Sequence, residues 1–337
     1  MNYTTGQVAS WVDLRSAIIS ELVTNHGWTM SSGTILNKGV AFLTLTVSSL
    51  VTSAQGPGII LQGGTGIFEG SLVNPSGVTP RMGRGTDLAS EPSWPATYHL
   101  FAFENPDEVY CILNFDGNRH LFCAFGVSSI VLPGSGLWMT ASAHKRLCTT
   151  SSWPARKQWV ITSSAGGYNY NAEGRWSSGG PFWETVRPIG ALDSMADTIH
   201  HGFDGSNWAE GRIEAYNSGY TAALIDQGAL HVLPAVYSHI SRSPSAWNQE
   251  SPLLPIKGYV QRPSGKCSLS FDLANARYVR VDNYTDGEII TLGSEKWKVF
   301  PFHLKSLVER NGSTSMSPAA SIDHTGTFGW AIRYDGP

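Results

Sequence analysis

Apolar residues recur at helical spacing in one segment near the N-terminus, between residues 7 and 25. Their intervals of three and four predict an amphipathic helix with one polar interruption at Arg15. Ser10 or Thr5 is suited to cap the start of this helix, and Asn25-His26-Gly27 is typical of a helix end. The apolar positions are Val8, Trp11, Val12, Ile18, Ile19, Leu22 and Val23.

Most of the remaining chain alternates apolar with polar positions, which predicts β-strands. The alternation is clear in residues 40–51, 98–126 and 268–300. Residues 55–97 are rich in Gly and Pro and predict a long excursion that carries only short strands.

A strong hairpin signal is Asp116-Gly117, which lies between two apolar runs. A three-residue loop there places Cys111 opposite Cys123 in the predicted ladder. A two-residue loop removes that pairing, and the sequence alone leaves both alternatives open.

The last apolar run, residues 328–335, predicts a strand with one heavy face. Pro337 cannot donate to a further rung of a ladder, which favours an end to the strand there. We expect the strand to lie in the chain's own sheet, near the N-terminal helix or at a subunit contact. The heavy face is Phe328, Trp330, Ile332 and Tyr334, and the opposite face is Gly329, Ala331, Arg333 and Asp335.

These patterns predict a mainly β (α+β) fold. An N-terminal α/β element with the amphipathic helix would be followed by antiparallel β-sandwich or hairpin-rich domains. The length of 337 residues favours two domains. We place them at residues 1–130, which include the Gly/Pro-rich excursion, and 131–337.

Composition restricts the classes of partner. Charged residues make up 15% of the chain, against roughly 25% in ordinary soluble domains. The net charge of −3 predicts no binding to nucleic acid. The chain shows neither a signal peptide at its start nor an apolar run long enough to span a bilayer, so we expect no membrane insertion.

The four cysteines are Cys111, Cys123, Cys148 and Cys267, and they show no C-x-x-C spacing. This distribution favours free thiols in a reducing compartment. An iron-sulfur or zinc site built from the four is the alternative.

Other candidate chemistry is weakly supported by spacing. His200 and His201 lie near Asp197, Asp204 and Glu210 in the sequence, but their spacing matches no metal-binding motif. Carboxylates that could serve a glycosidase lie among Trp176, Trp183 and Trp208, namely Glu173, Glu184, Asp204, Glu210 and Glu214. We therefore predict no catalytic, cofactor-binding or metal-binding residues and no enzymatic activity.

Three segments resemble a known group of proteins. They are "VASWVDLRSAIISELVTNHGWTM" followed by "LNKGVAFLTLTV", the hairpin "YHLFAFENPDEVYCILNFDGNRHLFCAFG", and the pair "KWKVFPFHLKS" and "HTGTFGWAIRYDGP" near the C-terminus. Together they resemble an uncharacterised family of tailed-bacteriophage virion structural proteins of the tail and baseplate. The resemblance covers the first third and the last tenth of the chain.

The resemblance implies a structural component of the virion, at the tail tip or baseplate, that scaffolds the distal tail and its fibres. Its partners would be copies of itself and other tail and baseplate proteins, with a bacterial surface receptor as a further candidate, and its assembly would take place in the host cytoplasm. The alternatives are a receptor- or glycan-binding tail module and, third, a polysaccharide-degrading enzyme. Aromatic and Arg side chains dominate contact energetics, so the interface candidates are Trp94, Trp138, Trp176, Trp183, Trp208 and Arg333.

Overall fold

The fold is predominantly β, as the alternation of apolar and polar residues predicts. The computed structural model describes residues 2–49, 57–77, 79–84, 94–115, 119–141, 143–144, 197–205, 208–211, 229–232, 251–281, 284–301 and 328–336. The division into domains at residue 130 stays a prediction.

One α-helix, 21 strands and two short 3₁₀ helices, Phe203–Gly205 and Pro263–Gly265, make up the regular structure of these residues. The helix is α1 (Trp11–Asn25). The first strands are β1 (Tyr3–Val8), β2 (Thr29–Ser31), β3 (Ile35–Lys38), β4 (Ala41–Ser48), β5 (Gly58–Gly64), β6 (Gly66–Phe68), β7 (Ser71–Val73), β8 (Arg81–Arg84), β9 (Ala96–Phe103), β10 (Glu108–Phe115) and β11 (Arg119–Val127). The others are β12 (Leu137–Ala141), β13 (Ala143–His144), β14 (Thr198–His200), β15 (Trp208–Gly211), β16 (Ala229–Val232), β17 (Leu254–Arg262), β18 (Lys266–Arg280), β19 (Ile289–Leu292), β20 (Glu295–Pro301) and β21 (Phe328–Arg333).

Thirteen strands form one sheet in the order β1-β9-β10-β11-β12-β14-β15-β16-β17-β18-β21-β20-β19. All of its pairings are antiparallel except β15 with β16. A smaller sheet has the order β13-β8-β5-β4-β3-β2.

The two ends of the large sheet pack face to face, as in a β-sandwich, and enclose an aromatic core. The ring of Phe101 on β9 lies 5.9 Å from that of Phe300 on β20. Trp330 on β21 lies 5.6 Å from both Tyr110 on β10 and Phe122 on β11. Burial of such large rings supplies much of the driving force for closing the sandwich.

A second core lies on the other face of strands β9 to β12. Because side chains alternate along a strand, β10 places Tyr110 and Ile112 in the aromatic core, and Val109 and Cys111 in the second core. Helix α1 and the smaller sheet cover the second core. Strands β9, β10 and β11 therefore belong to both cores.

Helix α1 begins at Trp11, and the prediction that it starts at residue 7 is wrong. Val8 ends strand β1 instead, because residues 3–8 pair with β9. Ser10 is the cap, and its Oγ accepts a hydrogen bond from the backbone N–H of Asp13 at 3.1 Å. The predicted end at Asn25 is confirmed. The buried face is Trp11, Leu14, Ile18 and Leu22.

The register of β10 and β11 is the one that the three-residue alternative predicts. Phe115 pairs with Arg119, and Cys111 pairs with Cys123. The corresponding prediction is confirmed.

The terminal strand β21 lies inside the large sheet, between β18 and β20. Trp330, Ile332 and Tyr334 face the aromatic core, which confirms the predicted heavy face at these three positions. The side chain of Phe328, its fourth predicted member, lies outside the described set. The end of β21 lies against the start of the chain. The ring centroids of Tyr3 and Tyr334 are 5.1 Å apart, and the side-chain amide of Asn2 donates a hydrogen bond to the Asp335 carboxylate at 3.0 Å. The chain's own sheet therefore holds the C-terminal strand.

Strand β18 carries a wide bulge opposite β17. Pro255 pairs with Arg277, but Lys257, two residues further along, pairs with Asp272. The extra residues of β18 reset the alternation, so that Phe271 and Leu273 before the bulge face the same core as Ala276 and Tyr278 after it. The bulge thus lets one long strand keep a single core-facing side.

Glu108 at the start of β10 satisfies the backbone of this bulge. Its buried carboxylate accepts hydrogen bonds from the backbone N–H groups of Ala274 and Asn275 at 2.9 and 3.0 Å. The side-chain amide of Asn275 and the hydroxyl of Tyr110 donate to it at 2.9 and 2.8 Å. Burial raises the pKa of Glu108, and these donors oppose that rise.

Arg277 satisfies the carbonyl groups of the same bulge. Its Nη1 donates to the backbone oxygens of Leu273, Ala274 and Ala276 at 2.7, 3.1 and 2.7 Å. Its guanidinium lies 5.1 Å from the ring centroid of Trp297. Both kinds of backbone group that the bulge frees therefore have side-chain partners.

We predict that Glu108→Ala lowers the free energy of unfolding by about 3 kcal/mol or more, because four donors lose a buried acceptor. Glu108→Gln keeps the shape of the side chain but replaces one carboxylate oxygen with an amide N–H₂ group, which faces the hydrogen-bond donors around it. This variant should also lower the free energy of unfolding. Urea unfolding followed by circular dichroism measures both changes.

The matched control is Glu104→Ala, since the Glu104 side chain is 58% exposed and lies 3.6 Å from Lys38. This variant should stay within about 0.5 kcal/mol of the parent chain. Equal losses for Glu108→Ala and Glu104→Ala would contradict the role assigned to Glu108.

Candidate functional site

The predicted interface residues fall in different environments. Trp138 is fully buried in the aromatic core, so its prediction as a surface contact is wrong. Trp94 is partly buried and packs edge-on against Trp11 at 5.4 Å. Arg333 is exposed on β21. Trp176 and Trp183 lie outside the described residues.

Trp208 is partly buried rather than free at a loop tip. Its indole N–H donates to the backbone oxygen of Asn74 at 3.0 Å, and its ring lies 5.1 Å from that of His200. These contacts tie β15 to the segment after β7. Trp208 is therefore not a freely exposed aromatic side chain.

Strand β19, the last in the order of the large sheet, is the strongest candidate contact surface. Within the described part of the chain its ladder partner is β20 alone. Ile289 and Leu292 are large apolar residues on it, and they are 41% and 46% exposed. We call the β19 residues 289–292 the edge strand.

The edge strand is held firmly on its inner side. Ile290 packs against a small core that contains Trp297 and Val299. At the strand start, the backbone N–H of Gly287 donates to Val299 at 2.8 Å, and that of Val299 donates to Glu288 at 2.9 Å. The edge strand therefore keeps a defined extended shape while its outer side faces solvent.

The two most exposed large apolar side chains of the described residues lie elsewhere. Phe68 is 67% exposed beside the two-residue turn of the β6–β7 hairpin, where Glu69 and Gly70 both have positive φ. Val131 is 97% exposed between β11 and β12. Single exposed apolar residues are ordinary on surfaces, so these two carry less weight than the edge strand.

A polar cluster lies where the two ends of the large sheet meet. The buried His120 of β11 lies 2.9 and 3.0 Å from the carboxylate oxygens of Asp286, and Asn114 donates to the same carboxylate at 3.2 Å. His99 of β9 lies 2.7 Å from the hydroxyl of Tyr3. Asp286 therefore ties the segment before the edge strand to β10 and β11.

Burial, with a smaller contribution from the nearby charges of Lys298 and His120, lowers the pKa of His99 to about 4, while Asp286 acts in the opposite direction. His99 is thus neutral at pH 7. Its ring packs 5.0 Å from that of Phe300, so protonation would place a charge in an aromatic setting.

A second histidine pair lies at the end of β14. His200 Nδ1 accepts a hydrogen bond from the backbone N–H of Ser135 at 2.8 Å, and His201 Nδ1 accepts from Phe203 at 2.9 Å. Asp204 forms two hydrogen bonds with Arg262, at 2.7 and 2.8 Å. Burial lowers the pKa of His201 to about 4.

These partners account for the side chains that the sequence suggested as metal ligands. Asp197 accepts a hydrogen bond from Thr140, and Asp204 is paired with Arg262. Across the described residues, no group of three or more His, Cys, Asp and Glu side chains is placed to hold a metal ion. Cys111 and Cys123 are buried whereas Cys267 is exposed, and Cys148 lies outside the described residues.

Of the five suggested glycosidase carboxylates, the structure describes the side chain of Asp204. Its pairing with Arg262 lowers its pKa. The other four side chains lie outside the described set, so the enzymatic alternative stays a prediction.

The sequence patterns did not identify the edge strand as a contact surface. Its signal is the run "EIITLG" beside a second strand-like run, "KWKVF". The run itself predicts a strand, but the residue pattern does not say which strand lies at the edge of a sheet.

No protein-family model matches the chain, and a search of curated proteins finds no similar sequence. The helix of the described residues is too short and too polar to cross a membrane.

We predict that stability falls as the pH drops from about 6.5 to about 4. His99 and His201 have a lower pKa in the folded chain than in the unfolded chain, so the unfolded state binds more protons across this range. Thermal unfolding at a series of pH values measures the slope. His99→Phe, which keeps a ring but cannot titrate, should make the slope shallower.

Val131→Ala serves as the control, since Val131 is 97% exposed and carries no titrating group. It should keep the parent's slope between pH 6.5 and 4. An unchanged slope in His99→Phe would show that His99 does not titrate as its burial implies.

Proposed function

We propose that the chain is a structural component of a tailed-phage virion, at the tail tip or baseplate, where it scaffolds the distal tail and its fibres. The sequence resemblance supports the class of protein. The exposed edge strand is the structural observation that carries the proposal, because it offers another chain a place to pair.

An unpaired edge presents a row of N–H and C=O groups that another strand can bind. Proteins often protect such edges with Pro, with charged side chains or with a covering element. The edge strand has the sequence Ile289-Ile290-Thr291-Leu292, which contains neither Pro nor charge. Its composition therefore favours pairing over protection.

The contacts behind the edge strand suit a passive structural role. Glu108 joins the two facing halves of the sheet, and Asp286 joins the segment before the edge strand to β10 and β11. A strand added at β19 would thus be fixed to the body of the molecule through several polar ties. The proposed partners are copies of this chain and other tail proteins.

Phe68 favours a second candidate function, the receptor- or glycan-binding tail module. An aromatic ring that is 67% exposed near a hairpin tip can stack on a sugar face. This candidate would leave the edge strand without a role, so we rank it second.

Purified particles of the phage that encodes the chain test the proposal. A structural component co-sediments with the particles, is detected in them by mass spectrometry, and is labelled at the tail end by gold-conjugated antibody. Absence of the chain from the particles would exclude the proposed function. Two results together would favour the second candidate: a soluble glycan removes the gold label from the tail end, and the edge strand is not needed for incorporation into particles.

We predict that the double variant Ile289→Lys, Leu292→Lys enters particles about tenfold less than the parent, a change of about 1.4 kcal/mol. Lysine on an edge strand opposes pairing with another chain. Quantitative mass spectrometry of purified particles measures the copies per particle.

The matched control is the double variant Val40→Lys, Val131→Lys, which places the same two charges on more exposed apolar residues outside any strand. It should enter particles at the parent level. Incorporation of the edge-strand variant at that level, with its circular dichroism unchanged, would exclude the edge strand as the contact.

A further inference from the structure

Two buried thiols face each other in the ladder that both cores share. Cys111 of β10 and Cys123 of β11 are direct register partners, and each is 1% exposed. Both are free. Their side chains lie on the same face of the sheet, toward the core beneath helix α1.

The geometry of an antiparallel ladder brings such a pair within bonding range. Directly opposed residues have Cα atoms about 4.5 or 5.5 Å apart, and disulfides span about 4.4–6.8 Å between Cα atoms. The register between Glu108 and Phe115 of β10 is unbroken, so no bulge displaces the pair.

The thiols also contact each other. The hydrogen bond that the Cys111 thiol makes with Cys123, together with burial, raises the pKa of Cys111 well above its usual range. The thiolate is the nucleophile in disulfide formation. The raised pKa therefore makes the reduced pair persistent and its oxidation slow.

We propose that Cys111 and Cys123 form a site of reversible oxidation, at which an intrachain disulfide staples β10 to β11. The site is distinct from the edge strand, and its chemistry does not depend on the proposed function. Its substrate is a small peroxide, or a small-molecule disulfide that reaches the thiols while the chain is still folding.

The peroxide route balances in two steps. One thiolate attacks hydrogen peroxide, forms a sulfenic acid and releases hydroxide. The second thiol then attacks the sulfenic sulfur, so that the S–S bond forms and water leaves. Two thiols are oxidised in total, and one peroxide is reduced to two waters. With a small-molecule disulfide, two thiols of that molecule are released instead.

The disulfide would lie in strands that contribute side chains to both cores. Tyr110 and Phe122, the neighbours of the two cysteines, project into the aromatic core. Cys111 also pairs with Leu100 on β9, and Cys123 pairs with Ala141 on β12. A covalent link at this point closes the hairpin in the unfolded chain and raises stability through the lost freedom of that chain.

The test uses the full chain with Cys148→Ser and Cys267→Ser, which leaves the pair as its only thiols. One sample is treated with hydrogen peroxide at pH 8.5, and another is refolded with oxidised glutathione. Both are then unfolded, treated with iodoacetamide and weighed by mass spectrometry. We expect a mass about 2 Da below that of the reduced chain, no alkylation, and reversal by dithiothreitol.

The oxidised chain should unfold at a temperature a few degrees higher than the reduced chain. Single variants Cys111→Ser and Cys123→Ser, in the same background, serve as controls and should each take one alkyl group without an intrachain link. Two alkylated thiols after both treatments, or sulfinic acids in place of a disulfide, would overturn the site. A lower unfolding temperature of the oxidised chain would overturn its role as a staple.

Discussion

The contact on which the fold most depends is the one between the Glu108 carboxylate and the bulge of β18. A long strand can keep one side toward a core only if its alternation is unbroken or is reset by a bulge. Here the bulge resets it, so that Leu273 and Ala276 face the same core. The backbone groups freed by the bulge would destabilise the interior without partners, and Glu108 and Arg277 supply them.

The same contact joins the two halves of the large sheet. Glu108 begins β10, which belongs to both cores, and Asn275 belongs to the opposing half. The chain ends strengthen this closure, since Tyr3 and Tyr334 touch and Asn2 donates to Asp335. Hydrogen bonds, as well as the packing of aromatic rings, therefore hold the two halves of the sheet around the aromatic core.

Local patterns in the sequence predicted the features that depend on near neighbours. The end of helix α1, the three-residue hairpin alternative and the heavy face of β21 all follow from spacing or alternation within a few residues. The bond between Glu108 and Asn275 joins residues 167 positions apart, so no local pattern reveals it. Trp138 was misplaced for a related reason: the size of a Trp side chain does not indicate whether the fold buries it.

The order of strands decides where another chain can pair. Strand β21 has the larger apolar residues, but β18 and β20 occupy both of its edges, and its heavy face lies in the aromatic core. Strand β19 has smaller residues, and two of them, Ile289 and Leu292, are exposed. The strand available for pairing is therefore β19, which the sheet order leaves at its edge. The C-terminal strand β21 has the larger apolar side chains but is not available. The polar tie at Asp286 fixes the start of that hairpin to the central strands, so a chain bound at β19 would be coupled to both cores.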